Sequence, residues 1–348
     1  MVVLQSASKS SAVFARSSKT RTQMKTRCVP VSLLCPRFSR KGVQISPYKI
    51  HIASYNNFPT AAGLASSAAG FAALVSSIAH LYSLQKVLSP SELSIIARQG
   101  SGSACRSLMS GFVAWEAGTK ADGSDSLAVQ VAPREHWPEM HALICVVSDA
   151  KKGTSSTAGM QRTVETSTLL QHRIASVVPQ RMQDITSAIQ ARDFARFAEL
   201  TMADSNSFHA CCLDTAPPIF YMNDVSRALV ALVVEYNRAA GETRAAYTFD
   251  AGPNAVIYVL ERHVKEVANI VAKLFPLADE FKDTFGLFKT EGLGTAALPV
   301  GFDENVVAKL PKGSVKGLIH TRVGDGPRHI TDEAAHLLDA KGQPKPLP

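Results

Sequence analysis

Between Asn56 and Gln85 the chain carries no Lys, Arg, Asp or Glu. A charge-free segment of this length is either packed against protein or inserted in a membrane, since a membrane span needs about 20 apolar residues. Ala, Ser and Gly dominate the segment rather than Leu and Ile, and it contains His80. We therefore predict a buried helix of small residues that begins near Leu64, after a loop that contains Pro59, and no membrane span.

The rest of the chain has the composition of a globular protein. Of its 348 residues, 46% are hydrophobic and 19% are charged, which excludes wholesale disorder. The six Cys form no Cys-x-x-Cys pair, so neither a disulfide framework nor a zinc site is predicted, and we expect reduced thiols. The length suits one large domain or two of ordinary size.

The net charge of +8 belongs to the N-terminus. Residues 1–50 hold ten Lys and Arg and no acidic residue, which leaves 27 basic and 29 acidic residues in the remainder. That near-neutral remainder indicates neither a nucleic-acid partner nor an acidic membrane surface. The acid-free, Ser- and Arg-rich residues 1–47 are typical of a disordered extension or of an organelle transit peptide, and we expect a disordered tail.

After residue 48, segments with strand and helix patterns alternate irregularly, which predicts an α+β fold with two layers. The expected strands are Tyr48–Ser54, Gly111–Glu116, Ser126–Val131, Ala142–Ser148, Ala246–Asp250, Ala255–Leu260 and Lys316–Val323. The expected helices are Leu64–Leu84, Pro90–Arg98, Val225–Ala239 and Arg262–Leu274, with a long helical region from Thr157 to Thr201 that is broken near Pro179.

A first candidate site lies in Phe58–Gly70 (FPTAAGLASSAAG), where a loop of small residues runs into a helix. Backbone N–H groups, two hydroxyls and the positive end of the helix dipole converge there, which favours an anion. Small side chains would let a phosphate chain approach the backbone. No Gly-Lys-Ser/Thr ends the loop, so it is not a Walker A motif. A tightly packed Ala/Ser helix is an equal alternative.

A second candidate lies in Gly100–Arg106 (GSGSACR). A guanidinium beside hydroxyl groups suits recognition of a carboxylate or a phosphate. The alternative is a Ser/Gly loop with a surface Arg.

A third candidate lies in Tyr247–Ala255 (YTFDAGPNA), where Asp250 stands at the end of an apolar strand in a Gly-Pro turn. Such a carboxylate could orient or deprotonate a hydroxyl at a cleft. The alternative is an Asx-turn that closes the hairpin.

Two further polar segments carry weaker signals. Lys151–Thr157 (KKGTSST) follows a buried strand and would supply phosphate contacts or be solvated. Asp204–Cys212 (DSNSFHACC) contains metal-binding residue types, but their spacing fits no standard site. For that segment we predict structural hydrogen bonding and packing.

The three candidate segments, in this order, resemble the diphosphomevalonate decarboxylases, which belong to the superfamily of galactose, homoserine, mevalonate and phosphomevalonate kinases. DSNSFHACCLDTAPPIFYMND and the Lys-Lys plus Ser-Thr loop are also similar to that family. The likeness runs from about Tyr48 to the C-terminus.

The resemblance implies an N-terminal half like the second domain of ribosomal protein S5 and a ferredoxin-like C-terminal half, with a deep cleft between them. Residues 48–139 would then form a partial ATP-binding half, 140–325 a substrate and dimer half, and 326–348 a C-terminal extension. The resemblance also implies a cytosolic homodimer.

The implied reaction is conversion of mevalonate 5-diphosphate to isopentenyl diphosphate with ATP and Mg²⁺, releasing ADP, phosphate and carbon dioxide for isoprenoid and sterol synthesis. Asp250 would act on the tertiary hydroxyl, Arg106 would lie near the substrate carboxylate, and Ser67 would lie at the phosphates and magnesium. ATP would contact Ala62, Gly63, Leu64, Ala65, Ser66, Ser67 and Ala68. Substrate would contact Ser101, Gly102, Ser103, Ala104, Cys105, Arg106, Ser156 and Thr157.

One motif of the family has no counterpart in this sequence. It is a Lys-Tyr-Trp-Gly-Lys stretch that contacts substrate and nucleotide, and family-like sequence begins near Tyr48 instead. We therefore expect an unpaired sheet edge in the N-terminal half and weak activity of this chain. Two alternatives stay open: a small-molecule kinase of the same superfamily, and a non-catalytic isoform that pairs with full-length subunits.

Overall fold

The computed structural model describes residues 3–4, 52–56, 58, 63–148, 153–278, 281, 283, 286, 292–339 and 343–346. Over these ranges the chain forms two antiparallel sheets with helices packed against them. None of the helices in these ranges combines the length and the apolar character that crossing a membrane requires.

The first sheet has three strands in the order β1-β2-β3. Its strands are β1 (Val3–Leu4), β2 (Phe112–Trp115) and β3 (Ala128–Ala132). Two helices, α1 (Ser66–Leu81) and α2 (Pro90–Gly100), precede a 3₁₀ helix at Gly102–Leu108.

Strand β1 differs from the predicted disordered tail. Val3 and Leu4 pair in antiparallel register with Val113 and Phe112 of β2. At these positions a strand from the N-terminal segment covers one edge of β2, whereas we expected an unpaired sheet edge in the N-terminal half. Residues 5–51 lie outside the described part, and disorder there stays a prediction. The predicted strand Tyr48–Ser54 is not observed at 52–54, which belong to no strand, because alternation alone supplies no pairing partner.

Helix α1 confirms the predicted helix of small residues but begins later than Leu64. Gly63 and Ala65 have φ angles of 78° and 51°, a left-handed conformation that cannot continue into a helix. Ala68 and Ala72 are buried on its inner face. A side chain at Gly100 would overlap the ring of Phe71, so the end of α2 lies directly against α1.

The second sheet has four antiparallel strands in the order β5-β6-β4-β7. They are β4 (Met140–Val146), β5 (Ala245–Phe249), β6 (Ala255–Leu260) and β7 (Gly317–Arg322). With helices between β4 and β5 and between β6 and β7, the connectivity is β-α-β-β-α-β, which confirms the predicted ferredoxin-like half.

Six α-helices of the described ranges accompany this sheet. They are α3 (Ser156–Thr166), α4 (Thr168–His172), α5 (Val178–Ala191), α6 (Phe194–Asp214), α7 (Asp224–Ala240) and α8 (Glu261–Leu274). The predicted break near Pro179 is confirmed: α5 begins at Val178, after a π-helix at Arg173–Val177, and Pro179 lies in its first turn, where its missing N–H is not needed. The long region has two further breaks, at Ser167 and at Arg192, and the φ of Arg192 is 54°.

Both faces of the second sheet are covered by helices. Ile257 and Val259 of β6 pack in one apolar cluster with residues of α7 and α8. Tyr258 and Leu260 pack in another cluster with residues of α5 and α6. The α+β class is confirmed, but around this sheet the chain has three layers rather than two, because alternate residues of one strand are buried on opposite faces.

Candidate functional site

The loop before α1 contacts the turn after β5. A Cβ added to Gly63 would lie 2.8 Å from Cα of Gly252 and 2.9 Å from its nitrogen, and the φ of Gly63 is +78°. Only glycine fits this position without moving the backbone. The first candidate segment therefore meets the turn that carries Asp250.

The N-terminus of α1 lies in the first candidate segment. Its N-cap residue, Ala65, makes no side-chain capping hydrogen bond, and the positive end of the helix dipole lies there. The exposed Ser67 lies in this first turn, and its Oγ is 3.2 Å from Oγ of Ser101. The first and second candidate segments therefore meet as well.

The other residues of the predicted ATP loop differ in burial. Leu64 and Ala68 are buried, Ala65 is exposed and Ser66 is half-buried. The buried side chains of Leu64 and Ala68 pack the loop onto the protein. A phosphate would therefore contact backbone N–H groups and the serine hydroxyls. Ala62 lies outside the described residues.

Arg106 is buried, with 6% of its surface exposed, so the alternative of a surface Arg is wrong. Its guanidinium lies over the ring of Trp115, 5.8 Å from the centroid. Burial lowers the pKa of Arg106, while Cys105 and the carboxylate of Asp250 act in the opposite direction. Its Nε has no hydrogen-bond partner in the described part of the chain, which leaves a buried donor available to an anion.

The neighbours of Arg106 divide into two groups. Ser101, Gly102 and Ser103 are half-buried at the surface of the 3₁₀ helix. Ala104 and Cys105 are 0% exposed and belong to the apolar core, where the Cys105 Sγ donates to the Gly102 carbonyl at 3.1 Å. The side chains of Ala104 and Cys105 therefore pack inward, which differs from the predicted substrate contact and leaves only their backbone for it.

Asp250 is exposed at the end of β5. Its turn is closed by backbone groups, since the Gly252 N–H donates to the Asp250 carbonyl at 2.7 Å. Asn254, fully buried, anchors the turn: its Oδ1 accepts from the N–H groups of Val147 at 2.6 Å and Ser148 at 2.9 Å. This arrangement favours a positioned carboxylate over the Asx-turn alternative, because the hairpin closes without the Asp250 side chain.

The start of α3 approaches the same turn through Tyr221. The Tyr221 hydroxyl donates to the carbonyl of Ser155, the N-cap of α3, at 3.5 Å. Its ring packs in one cluster with Ala251. Burial, with smaller contributions from Cys212 and Asp250, raises the pKa of Tyr221 to about 12.

The two predicted substrate contacts in α3 differ in exposure. Ser156 is half-buried and Thr157 is exposed in the first turn of the helix. Lys151 and Lys152 lie outside the described residues.

The segment Asp204–Cys212 confirms the structural prediction. Asp204 forms ion pairs with Arg173 at 2.8 Å and with Arg181 at 3.1 Å. Cys211 and Cys212 are buried free thiols. Over the ranges that the structure describes, three or more His, Cys, Asp or Glu side chains nowhere converge as metal ligands.

Two residues of this site escaped the sequence analysis. Tyr221 follows the Pro217-Pro218 pair and joins two segments that are distant in sequence. Asn254 lies inside the Asp250 turn, and the sequence does not show that its amide is buried. Asn in a Gly-Pro turn is most simply interpreted as a turn former, so its anchoring role is visible only in the folded structure.

Two family models match the chain. The diphosphomevalonate decarboxylase-like N-terminal domain matches residues 2–128, and the mevalonate 5-diphosphate decarboxylase C-terminal domain matches residues 142–330. The first match begins at residue 2, so the expectation that family-like sequence begins near Tyr48 is wrong.

Individual relatives agree with these matches. A diphosphomevalonate decarboxylase of Ganoderma lucidum is 65% identical over 306 residues, which cover 87% of this chain and 76% of the relative. An X-ray crystal structure of mevalonate 5-diphosphate decarboxylase is 48% identical with a TM-score of 0.75, covering 89% of this chain and 78% of the other. A structure described as MDDEF in complex with MVAPP, AMPPCP and magnesium is 32% identical, with a TM-score of 0.60 and coverage of 78% and 79%.

Proposed function

The chain belongs to the diphosphomevalonate decarboxylase family, and from this premise we propose that it converts mevalonate 5-diphosphate and ATP to isopentenyl diphosphate, ADP, phosphate and carbon dioxide. One observation carries the proposal beyond the family likeness. The loop before α1, the buried Arg106 and the turn of Asp250 meet at a single place.

ATP fits the loop before α1. The absence of Cβ at Gly63 keeps the backbone close to the Asp250 turn, and the uncapped N-terminus of α1 offers N–H groups to phosphate oxygens. The Ser67 hydroxyl adds a donor at the same end of the helix, beside Ser101 of the substrate segment. The terminal phosphate would therefore lie toward the substrate.

Mg²⁺ fits the same place by donor chemistry. This ion is held largely by substrate phosphates and water, with one or two protein oxygens, rather than by a dedicated protein cage. The Ser67 hydroxyl and the Asp250 carboxylate are oxygen donors of the required kind. When bound, Mg²⁺ would neutralise charge on the phosphates.

In this proposal Asp250 takes a proton from the tertiary hydroxyl of the substrate. Two observations support the role: its carboxylate is exposed, and Asn254 holds its turn in place. Removing the hydroxyl proton makes the oxygen a stronger nucleophile toward the terminal phosphate of ATP. The phosphorylated oxygen is then a leaving group.

In this proposal Arg106 holds the substrate carboxylate. Its buried Nε lacks a partner within the described residues, and a planar guanidinium binds a carboxylate through two parallel bonds. Departure of phosphate builds positive charge on carbon, and the electron pair of the carbon–carboxylate bond forms the new double bond as carbon dioxide leaves. The residues supply positioning and charge stabilisation.

The remaining assignments rest on the family and extend the proposal. We assign residues 48–139 to an ATP-binding half, 140–325 to a substrate and dimer half and 326–348 to a C-terminal extension. The protein works as a homodimer in the cytosol. Gly102, Ser103, Ser156 and Thr157 contact the substrate beside Arg106.

The test is the stoichiometry of products from this chain with mevalonate 5-diphosphate, ATP and Mg²⁺. We expect ADP, phosphate and carbon dioxide in equal amounts, and no carbon dioxide without ATP. ADP without carbon dioxide would identify a kinase, and absence of both would identify a non-catalytic isoform. The expected weak activity without a Lys-Tyr-Trp-Gly-Lys stretch stays a prediction, which the same assay measures as a rate.

A further inference from the structure

The segment Asp204–Cys212 lies in α6, beside the outer edge of β5. Because β5 is an edge strand of its sheet, its outward polar groups need partners from another element. Ser205 of α6 accepts the N–H of Phe249 at 3.1 Å. The ring of His209 forms a hydrogen bond with the backbone of the same residue.

Together the two contacts bind both polar backbone groups of Phe249, its N–H and its carbonyl. Ser205 and His209 are four residues apart and therefore project from the same face of α6. A neutral hydroxyl oxygen takes the N–H, and a ring N–H of His209 donates to the carbonyl. Phe249 directly precedes Asp250, so the clamp fixes the backbone from which the carboxylate projects.

His209 is held tightly in this position. Only 9% of its surface is exposed, and its ring meets those of Phe208, Tyr221 and Phe249 edge-on, with centroids 5.0, 6.5 and 6.2 Å away. Its buried Nε2 has no partner within the described residues. The bonded nitrogen is therefore Nδ1, and in the neutral ring Nε2 carries the lone pair.

Burial lowers the pKa of His209, while the Phe249 carbonyl and Asp250 act in the opposite direction. The ionisable groups that surround it are Asp250 at the end of β5, Tyr221 from the segment before α7, and Cys212 on α6 itself. A pKa below its ordinary value keeps the ring neutral at pH 7, with its proton on Nδ1.

We propose that His209 is a positioning residue for Asp250: through Nδ1–H, together with Ser205, it clamps the backbone of Phe249 and so fixes the direction in which the Asp250 carboxylate projects. This role deepens the proposed function, on which it rests. His209 touches no reacting atom, and its effect reaches the substrate only through Asp250.

The experiment compares His209→Phe, which keeps a ring and loses the donor, with His209→Asn, whose amide N–H can replace Nδ1–H. We expect kcat to fall about 30-fold or more in His209→Phe, because small displacements of a reacting group cost up to about 100-fold, with KM values for both substrates within about threefold of the original. In His209→Asn we expect kcat within about fivefold of the original, because the amide N–H can hold the Phe249 carbonyl. Cys212→Ala, from the same buried region, controls for packing: it should lower Tm without lowering kcat.

Nuclear magnetic resonance supplies a readout that needs no turnover. We expect ¹⁵N spectra to show His209 as the neutral Nδ1–H tautomer at pH 7, and the backbone amide resonances of Phe249 and Asp250 to shift in His209→Phe and to return toward their original positions in His209→Asn. An Nε2–H tautomer, unchanged Phe249 and Asp250 resonances in His209→Phe, or equal loss of kcat in both variants would overturn the proposal. Absence of turnover in the original chain would count against the proposed function instead, and these amide resonances would then decide the role of His209 alone.

Discussion

Asp250 and Arg106 carry opposite charges and differ in their exposure to solvent. The carboxylate is exposed and the guanidinium is buried, yet Asp250 raises the pKa of Arg106 against the effect of burial. A buried cation keeps its charge most easily when an anion lies near it. In the proposed reaction the substrate carboxylate would add a second anion to the same guanidinium.

We predict that Asp250→Asn lowers turnover by about 10²–10⁴-fold, the usual contribution of an acid–base group, while ATP binding stays within about threefold. The two quantities are measured by steady-state kinetics and by calorimetry with a non-hydrolysable ATP analogue. Asp224→Asn is the matched control, because Asp224 is an exposed carboxylate in the first turn of α7. Turnover of Asp250→Asn near that of the control would remove Asp250 from catalysis.

Sequence motifs singled out Asp250, Arg106 and Ser67 as candidate site residues, but not the residues that support them. These three stood out because an acid, a guanidinium or a hydroxyl in a loop of small residues suits a binding site, although each also had a structural alternative. Tyr221 and Asn254 did not, since their partners come from distant segments that only folding brings near. The burial of Ala104 and Cys105 was equally hidden, because a 3₁₀ helix turns successive residues to different sides.

At the scale of single elements, the loop before α1 depends on glycine at position 63. We predict that Gly63→Ala lowers both Tm and turnover, since alanine pays about 1–2 kcal/mol in the left-handed region and its Cβ would meet the Gly252 backbone. A tenfold or greater fall in kcat is expected, measured beside thermal unfolding.

Gly70→Ala is the control for Gly63→Ala. Gly70 lies within α1 and has no neighbouring atom within 4 Å of an added Cβ. The change should stabilise the helix by about 0.5–1 kcal/mol and leave kcat unaltered. Equal effects of the two substitutions would show that the contact between Gly63 and Gly252 is unimportant.

The second sheet contains a buried pair of histidines that responds to pH. Nδ1 of His141 lies 2.9 Å from Nε2 of His320, and Nδ1 of His320 lies 2.7 Å from Oδ1 of Asp283. Burial, with the neighbouring His320, lowers the pKa of His141 to about 4, and burial also lowers the pKa of His320. The unfolded chain therefore binds protons that the folded chain does not as pH falls below about 6.5.

We predict that the free energy of unfolding decreases as pH falls from about 6.5 to 4, by about 1–3 kcal/mol for His141. Urea unfolding at several pH values measures this decrease. His141→Gln should flatten it, whereas His172→Gln should not, because His172 is exposed. An equally steep decrease in His141→Gln would show that other groups control acid stability.

The elements themselves were largely predictable. Strong patterns such as Ala255–Leu260 and the helices later seen as α2, α7 and α8 were found within one or two residues of their ends. The start of α1 and the further breaks at Ser167 and Arg192 were not predicted, because they depend on left-handed residues and caps rather than on hydrophobic spacing. The pairing of β1 with β2 is a long-range contact that no local pattern announces.

At the scale of the whole molecule, the candidate site combines segments that accompany the first sheet with segments that accompany the second sheet. Gly63 meets Gly252, Ser67 meets Ser101, and Tyr221 joins α3 to the Asp250 turn. Because every functional segment contacts another one, activity should depend on the two halves being folded together rather than on either alone.

The basic segment 1–47 gives a prediction about location. We expect residues 1–47 fused to a fluorescent reporter to stay mostly in the cytosol, although their acid-free composition is also typical of transit peptides. Microscopy with a mitochondrial marker measures the distribution. Clear import would make the segment a presequence, and the same segment with its Arg and Lys changed to Gln would show whether the charges direct it.

The central claim is that three segments distant in sequence form one site in which ATP meets the tertiary hydroxyl of the substrate. The most direct test is a crystal structure of this chain with mevalonate 5-diphosphate, Mg²⁺ and a non-hydrolysable ATP analogue. We predict that the hydroxyl oxygen lies about 2.6–3.2 Å from the Asp250 carboxylate, with the terminal phosphate at the N-terminus of α1 and the substrate carboxylate at Arg106. A hydroxyl more than about 6 Å from Asp250, twice that hydrogen-bond distance, or a nucleotide bound away from α1, would contradict the account.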